Sequence, residues 1–290
     1  MSLLDHLRAC HRRDMSLYRP FVADGMKIGW IHQSPAERLA EYPDVFAITD
    51  AVVTLVPEGY GIRTGAMAEV VADLYGDGLI AGWRDEMFAV APSFHAPPLF
   101  EIERAAVKAF GIRFYCVQLN GLVGASAGQH MWIARRALSK PIGPGKLDQI
   151  VGGGVPLGLS LAEALVKECA EEAGITERLA RQARPVGATT ILAEETNENG
   201  LWNETLFNYD LTLPEDFAPV NADGEVESFQ LLPVAEVRRI LETTDDFLFD
   251  VAPVMIDCLM RHGHLAPEEP DYVTMAELLA VSPEKPAARF

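Results

Sequence analysis

The chain has 290 residues, 49% of them hydrophobic, and carries 42 Asp+Glu against 24 Lys+Arg for a formal net charge of −18. That apolar content excludes intrinsic disorder as the main description and suffices for one large domain or two ordinary ones. The acidic balance excludes a nucleic-acid partner held by bulk charge, because polyanion binders present basic faces. Cys10, Cys116, Cys169 and Cys258 lie far apart with no C-x-x-C pair, which disfavours a zinc ribbon or disulfide framework and suits a reducing cytosol. The N-terminus lacks an apolar stretch of signal-peptide length, and no run of about 18 apolar residues occurs. The expectation is a cytoplasmic protein with no membrane partner.

In chain order, Asp5–Asp14 and Ser34–Tyr42 read as helices, the second with a Ser34/Glu37 capping box. KIGWI and VFAITDAVVTLV read as strands, Ala68–Gly78 as a helix stopped by glycine, and MFAVAPS as a strand. From Tyr115 onward, six strand candidates follow: YCVQLNGLVG, HMWIARR, LDQIVGGGV, PVGATTILAEET, LWNETLFNYDLTL and SFQLLPV. A strong helix, Leu161–Ala173, sits between the third and fourth, and further helices are expected near Val234–Thr243, Val251–His262 and Val273–Val281. A mixed sheet with helices on its faces is the economical architecture.

Charge is unevenly spread along the chain. Residues 1–110 carry net −5, residues 111–190 net +3, and residues 191–290 net −16. A basic island in an acidic protein points to an anionic ligand, although solvated acidic helices near the C-terminus would produce the same totals.

The segment GGGVPLGLSLAEALVKECAEEAGI (Gly152–Ile175) carries the chemistry. Ser160 and Glu163 form a capping box, and Gly174 supplies the stop. At 100° per residue, Ala162, Leu165, Val166, Cys169 and Ala173 share the face that packs on the sheet. Glu168, Glu171 and Glu172 stand at i, i+3 and i+4, so their carboxylates converge along one flank. Such a triplet is either a solvated acidic face or a seat for a hard divalent cation such as magnesium or manganese. The glycine run Gly152–Gly154 favours the second, because it lets backbone approach a ligand closely. Neither a Walker loop nor a dinucleotide fingerprint is present.

This segment resembles the Nudix box, G-x5-E-x7-R-E-U-x-E-E-x-G-U, with U an aliphatic residue. Starting at Gly153, the chain supplies Glu168, Glu171, Glu172, Gly174 and Ile175, with Cys169 at the first U position. Leu159 stands where the pattern has its first glutamate, and Lys167 where it has arginine, keeping the charge but not the bidentate fork. WRDEMFAV, ERAAVKAFGIRFYCVQLNG, ARRALSKPIGPGKLDQIVGGG, YDLTLPEDFAPVNADGEVESFQLLPV and DCLMRHGHLAPE extend the likeness along most of the chain. They are similar to the subfamily whose fungal members are fused to thiamine pyrophosphokinase and whose plant members act on damaged thiamine diphosphates. Cys116-Val117-Gln118 departs from the Gly-Val-His common there.

The resemblance implies an α+β protein: a MutT-like Nudix fold, with a mixed β-sheet sandwiched between helices, preceded by a smaller α+β N-terminal domain. The boundaries it suggests are 1–112 for the companion domain, 113–265 for the Nudix domain and 266–290 for a C-terminal helical tail packed on it. It implies metal-dependent hydrolysis of an organic diphosphate, a damaged (oxo or oxy) thiamine diphosphate, to its monophosphate and phosphate. The alternatives are hydrolysis of a nucleoside diphosphate derivative, and a catalytically silent Nudix domain that binds a metabolite and regulates a partner. Mg2+ or Mn2+ is the implied cofactor. Its ligands by resemblance are Glu168, Glu171 and Glu172, with the backbone carbonyl near Gly153, and Lys167 stands beside them as a catalytic residue. Glu225 and Glu227, placed on one face by alternation, are candidates for the base. Arg135 and Lys146, in the basic island, are candidate phosphate clamps, preferred over Arg136 and Lys140. Gln118 and Asn120 share a strand face where their amides could read a polar heterocycle. A homodimer is compatible with the sequence, since two-fold homo-oligomers are common, but no residue pattern specifies it.

Overall fold

The computed structural model describes residues 1–125, 128–194 and 200–281. Helix α1 (Leu3–Ala9) opens the chain with Ser2 and Asp5 capping each other reciprocally. Strands β1 (Tyr18–Ala23) and β2 (Met26–His32) form a hairpin whose tip, Asp24 and Gly25, takes φ of 54° and 69°, as a tight primed turn requires. Helix α2 (Gln33–Leu39) follows directly, and the expected Ser34/Glu37 box does not form. The His32 ring accepts the Ser34 N–H instead, because the helix begins where β2 ends and Ser34 already lies inside it.

VFAITDAVVTLV is two strands, β3 (Phe46–Ile48) and β4 (Val53–Leu55). The Thr49 hydroxyl accepts the N–H groups of Ala51 and Val52 and folds the segment back on itself. Helix α3 (Tyr60–Gly76) starts earlier than its sequence pattern indicates. It buries Met67, Val70, Val71 and Leu74 at the i, i+3, i+4, i+7 spacing. Strands β5 (Met87–Val90) and β6 (Phe100–Glu103) pair antiparallel. The first sheet has the order β2-β1-β4-β3, and the rings of Phe21, Phe46 and Phe110 meet in its core.

The second sheet is mixed. Strands β7 (Phe114–Val123), β8 (His130–Arg136), β9 (Leu147–Gln149) and β10 (Val151–Gly154) lead into helix α4 (Leu161–Ala173). Helix α5 (Glu177–Ala180), strands β11 (Arg184–Glu194), β12 (Leu201–Thr212) and β13 (Val226–Pro233), and helices α6 (Val234–Thr243), α7 (Val251–Arg261) and α8 (Tyr272–Leu279) complete the chain. The strand order is β11-β12-β7-β8-β13, with β12 parallel to β7, β10 added to β7 and β9 added to β8. LDQIVGGGV therefore divides between two partners. Val117 and Leu119 face α4, with Ala164, Leu165 and Cys169 packed on them. On the other face Met131 and Ile133 meet α6 and α7. Helices thus cover both faces of a mixed sheet, as the α+β Nudix expectation requires.

Two features depart from a simple division of the chain. Helix α1 places Leu3, Leu4 and Leu7 in the core with α6 and α7, so the first helix packs on the second sheet's layer. The expected tail reaches residue 290, and residues 282–290 of it lie outside the described residues. Among the described residues no helix is long and apolar enough to cross a membrane.

Candidate active site

The predicted caps of α4 form. Ser160 Oγ accepts the Glu163 N–H, the Glu163 carboxylate accepts the Ser160 N–H at 2.9 Å, and Gly174 closes the helix at φ 63°. The buried face keeps Leu165, Cys169 and Ala173 but departs from the periodicity elsewhere. Ala164 is buried in place of Ala162, which is exposed, and Glu172 is buried with the apolar residues at 8% exposure. The cause is the docking of α4 on β10: the Glu172 carboxylate accepts the Gly152 N–H at 2.8 Å.

The glycine strand makes this approach feasible. Strand β10 pairs with β7, setting Gly152, Gly153 and Gly154 opposite Gln118, Val117 and Cys116. A Cβ on Gly153 would collide with the Glu168 carboxyl group, so only glycine lets that side chain lie on the strand. Burial pushes the Glu172 carboxyl well above the usual carboxylate range, and the charges of Asp148 and Glu168 push the same way. Burial likewise raises Glu168, opposed by Lys167 and reinforced by Glu171 and Glu225. The Lys167 ammonium donates to Glu168 at 3.2 Å and Glu171 at 2.7 Å. Burial works against that ammonium, but the two carboxylates outweigh it and hold its pKa above the ordinary lysine value.

Glu225 joins this cluster from the loop before β13. Burial opposes its ionisation, but its contact with Lys140, helped by Arg104 and Arg136, holds its carboxyl below the usual range. Arg136 pairs with Asp148 at 2.6 Å. Glu227 sits in the bulge between Val226 and Ser228 in the pairing with β8, exposed and with no hydrogen bond or ion pair among the described residues. The bulge breaks the alternation that would have paired Glu227 with Glu225.

The basic residues sort differently from the sequence preference. Arg135 donates to the Gly145 carbonyl at 2.7 Å, and Lys146 engages Asp245, so neither is brought to the helix carboxylates. The cations whose charge bears on Glu172 or Glu225 are Lys140, Arg136 and Arg104. Alternation along β8 fixes that Arg135 and Arg136 face oppositely, but only the pairing with β9 decides which of them meets Asp148. Lys140 lies in a loop, and Arg104 on a single 3-10 turn after β6, where no periodicity marks them.

Gln118 and Asn120 share a face, both buried. Asn120 is committed: it donates to Asp210 at 2.9 Å and accepts from Gln149 at 2.7 Å, so it is a structural amide and not an open reader. Gln118 lies over Gly152, and its Oε1 is buried without a hydrogen-bond partner among the described residues. Asp210, Cys258 and His262 also converge, but Arg261 and His262 donate to the Asp210 carboxylate at 2.6 and 2.8 Å, and an arginine fills the place a cation would take.

Behind the sheet, Asp250 and Glu204 are buried carboxyls. Burial, then mutual repulsion with Glu204, pushes Asp250 well above the usual range, and its Oδ1 has no hydrogen-bond partner among the described residues. Below the unfolded value, near 4, both states hold this proton and its contribution is full. Above it the unfolded chain ionises first, so stability falls with rising pH until the native value is passed. Asp250→Asn is therefore expected to flatten the decline of Tm between pH 5 and pH 8. Thermal melts across that range check it, and an unchanged slope would contradict it.

The candidate site is thus a glycine strand touched by an acidic helix, with a salt-bridged carboxylate beside it and cations around it. Residues 120–251 match the NUDIX domain, and residues 2–114 match a domain of unknown function (DUF4743). Nudix hydrolase 20, chloroplastic, of Arabidopsis thaliana is 41% identical over 95% of this chain and 76% of its own length. Nudix hydrolase 24, chloroplastic, of the same plant is 39% identical over 94% and 76%. An uncharacterized protein of Saccharomyces cerevisiae is 28% identical over 89% of this chain and 82% of its own. A crystal structure from Deinococcus radiodurans covers 60% of this chain and 99% of that one at 22% identity and TM-score 0.45. The chain belongs to the Nudix hydrolase family.

Proposed function

We propose that this Nudix hydrolase cleaves a damaged (oxo or oxy) thiamine diphosphate to its monophosphate and phosphate with the help of Mg2+ or Mn2+. The observation that carries the reading is the crowding of Glu168 and Glu172 against the glycine strand, each with its pKa raised. Two carboxyls held so closely cost stability unless a cation joins them. The chemistry of the residues fits such an ion: Glu168 and Glu172 lie against the glycine strand, and with Glu171 and the carbonyl near Gly153 they would offer the oxygen donors hard cations take, once Lys167, which bridges Glu168 and Glu171 in this structure, gives way. When bound, the ion neutralises diphosphate oxygens and lowers the pKa of the attacking water.

The chain's own groups do the rest. Glu225, kept ionised by Lys140, Arg104 and Arg136, takes the proton of the attacking water on a carboxylate oxygen. The water oxygen bonds to phosphorus as the anhydride P–O bond breaks, and the leaving monophosphate carries away the electron pair. Lys140 and Arg136, which pair with Glu225 and Asp148, are the cations we assign to the phosphate oxygens, and Lys167 holds Glu168 and Glu171 in place. The substrate assignment rests on the likeness to the thiamine-related subfamily over both domains. Four free, buried cysteines support a reducing, cytoplasm-like compartment.

Phosphate release would be measured with oxythiamine, oxothiamine and thiamine diphosphates beside a panel of nucleoside diphosphate derivatives. The highest kcat/KM is expected on the oxo or oxy form. Preference for a nucleotide would replace the substrate assignment, and binding without turnover of any compound would favour a regulator.

A further inference from the structure

We infer that the cavity between the N-terminal domain and the start of α4 is the subsite for a planar aromatic heterocycle of the substrate, with Leu159 as part of its wall. The inference rests on the diphosphate-hydrolase reading above and names the part of the substrate that this chain's unusual residues recognise. The cavity is about 630 Å3, within the range of small-molecule sites. Phe88 and the Phe94–His95 pair line it from the N-terminal domain, Tyr115 from the second sheet, and Leu157 to Ala162 from the loop entering α4.

Its aromatic lining is already arranged for ring contacts. Two of the lining rings, Phe94 and Tyr115, lie 4.8 Å apart at 63°, and both also contact Phe207, which is not itself in the lining. Edge-on and stacked geometries of this kind suit a further flat ring. Leu157 and Leu159 are large apolar side chains left 41% and 36% exposed beside these rings. The departure from the Nudix pattern at position 159 thereby acquires a physical reason. Leucine extends the apolar wall, whereas a glutamate there would set a hydrated charge beside the rings in place of apolar surface.

The cavity also lies at a suitable place relative to the carboxylates. Phe88, which lines it, is the side chain that a Cβ on Gly154 would meet, at 3.0 Å. Gly153, the next residue, carries the Glu168 contact. Along α4, the seven steps from Leu161 to Glu168 rise roughly 10 Å. A ring in the cavity therefore directs a linked diphosphate along the helix toward Glu168. Arg104, paired with Glu86, lies over Phe88 at 5.7 Å while its charge helps keep Glu225 ionised, so one N-terminal residue bears on both halves of the site. The N-terminal domain is thus a specificity element.

The test compares oxythiamine diphosphate, which has the rings, with methyl diphosphate, which has none. For Leu159→Glu and Phe94→Ala, the ratio of kcat/KM for the first over the second is expected to fall by about tenfold or more, mainly through KM. Leu159 is at the surface of the loop, so its variant is expected to fold, and thermal melts of both variants check this. An unchanged ratio would overturn the subsite. Should wild type hydrolyse neither compound, the hydrolase reading fails on its own, and the subsite is judged by equilibrium binding of oxythiamine in EDTA. Binding by wild type that Leu159→Glu weakens about tenfold would sustain it; no binding, or equal binding, would overturn it.

Discussion

Glu172→Gln is expected to lower kcat for phosphate release on the order of a thousandfold, about 4 kcal/mol of barrier, while leaving Tm equal or higher. The two halves of that expectation have one cause. The carboxylate is buried and crowded by Asp148 and Glu168, so its ionised form is a burden on the fold. Glutamine has the same shape, and its Oε1 can still accept the Gly152 N–H. It loses only the charge that a cation needs. Destabilisation without loss of turnover would show that Glu172 is a structural carboxyl. Steady-state phosphate release and a thermal melt on the same sample decide between the two.

Gly153→Ala is expected to reduce turnover by about a hundredfold with little loss of stability, because the atoms the new Cβ meets are the far end of the Glu168 side chain, which can swing away. Strand β10 is held by its pairing with β7, so the added Cβ cannot retreat and Glu168 must leave the strand. A displaced Glu168 breaks the donor set while its charge and neighbours are all still present. Titration with Mn2+ is expected to show weaker binding in this variant than in wild type. Wild-type affinity and wild-type kcat together would show that Glu168 does not need the strand.

Much of α4 is legible in the amino-acid sequence alone. Its bounds follow from two local devices, the Ser160/Glu163 box and the αL position at Gly174, which depend on residues a few positions apart. The convergence of Glu168, Glu171 and Glu172 follows from helical spacing. The burial of Glu172 does not, because it depends on Gly152 of another element. Strand β6 escapes the sequence pattern because it is short, and β1 because it carries a proline inside it. Helix α3 begins among glycines, at Tyr60, where propensity argues against a helix and packing of Met67 to Leu74 prevails. The basic clamp is hard to assign for a related reason. Arg135 and Arg136 are equivalent in the sequence until β9 supplies Asp148 on one side of them. Lys140 and Arg104 come from loops far apart in the chain, and only the fold shows that both act on Glu225.

The carboxylate cluster, on this reading, works by holding a divalent cation. Phosphate release from oxythiamine diphosphate by protein stripped in EDTA, then supplied with increasing Mn2+ or Mg2+, tests that claim most directly. Release is expected to be absent in EDTA and to return in a saturable manner with metal for wild type, but not for Glu172→Gln. Turnover by the stripped wild-type protein, undiminished by the chelator, would contradict the account.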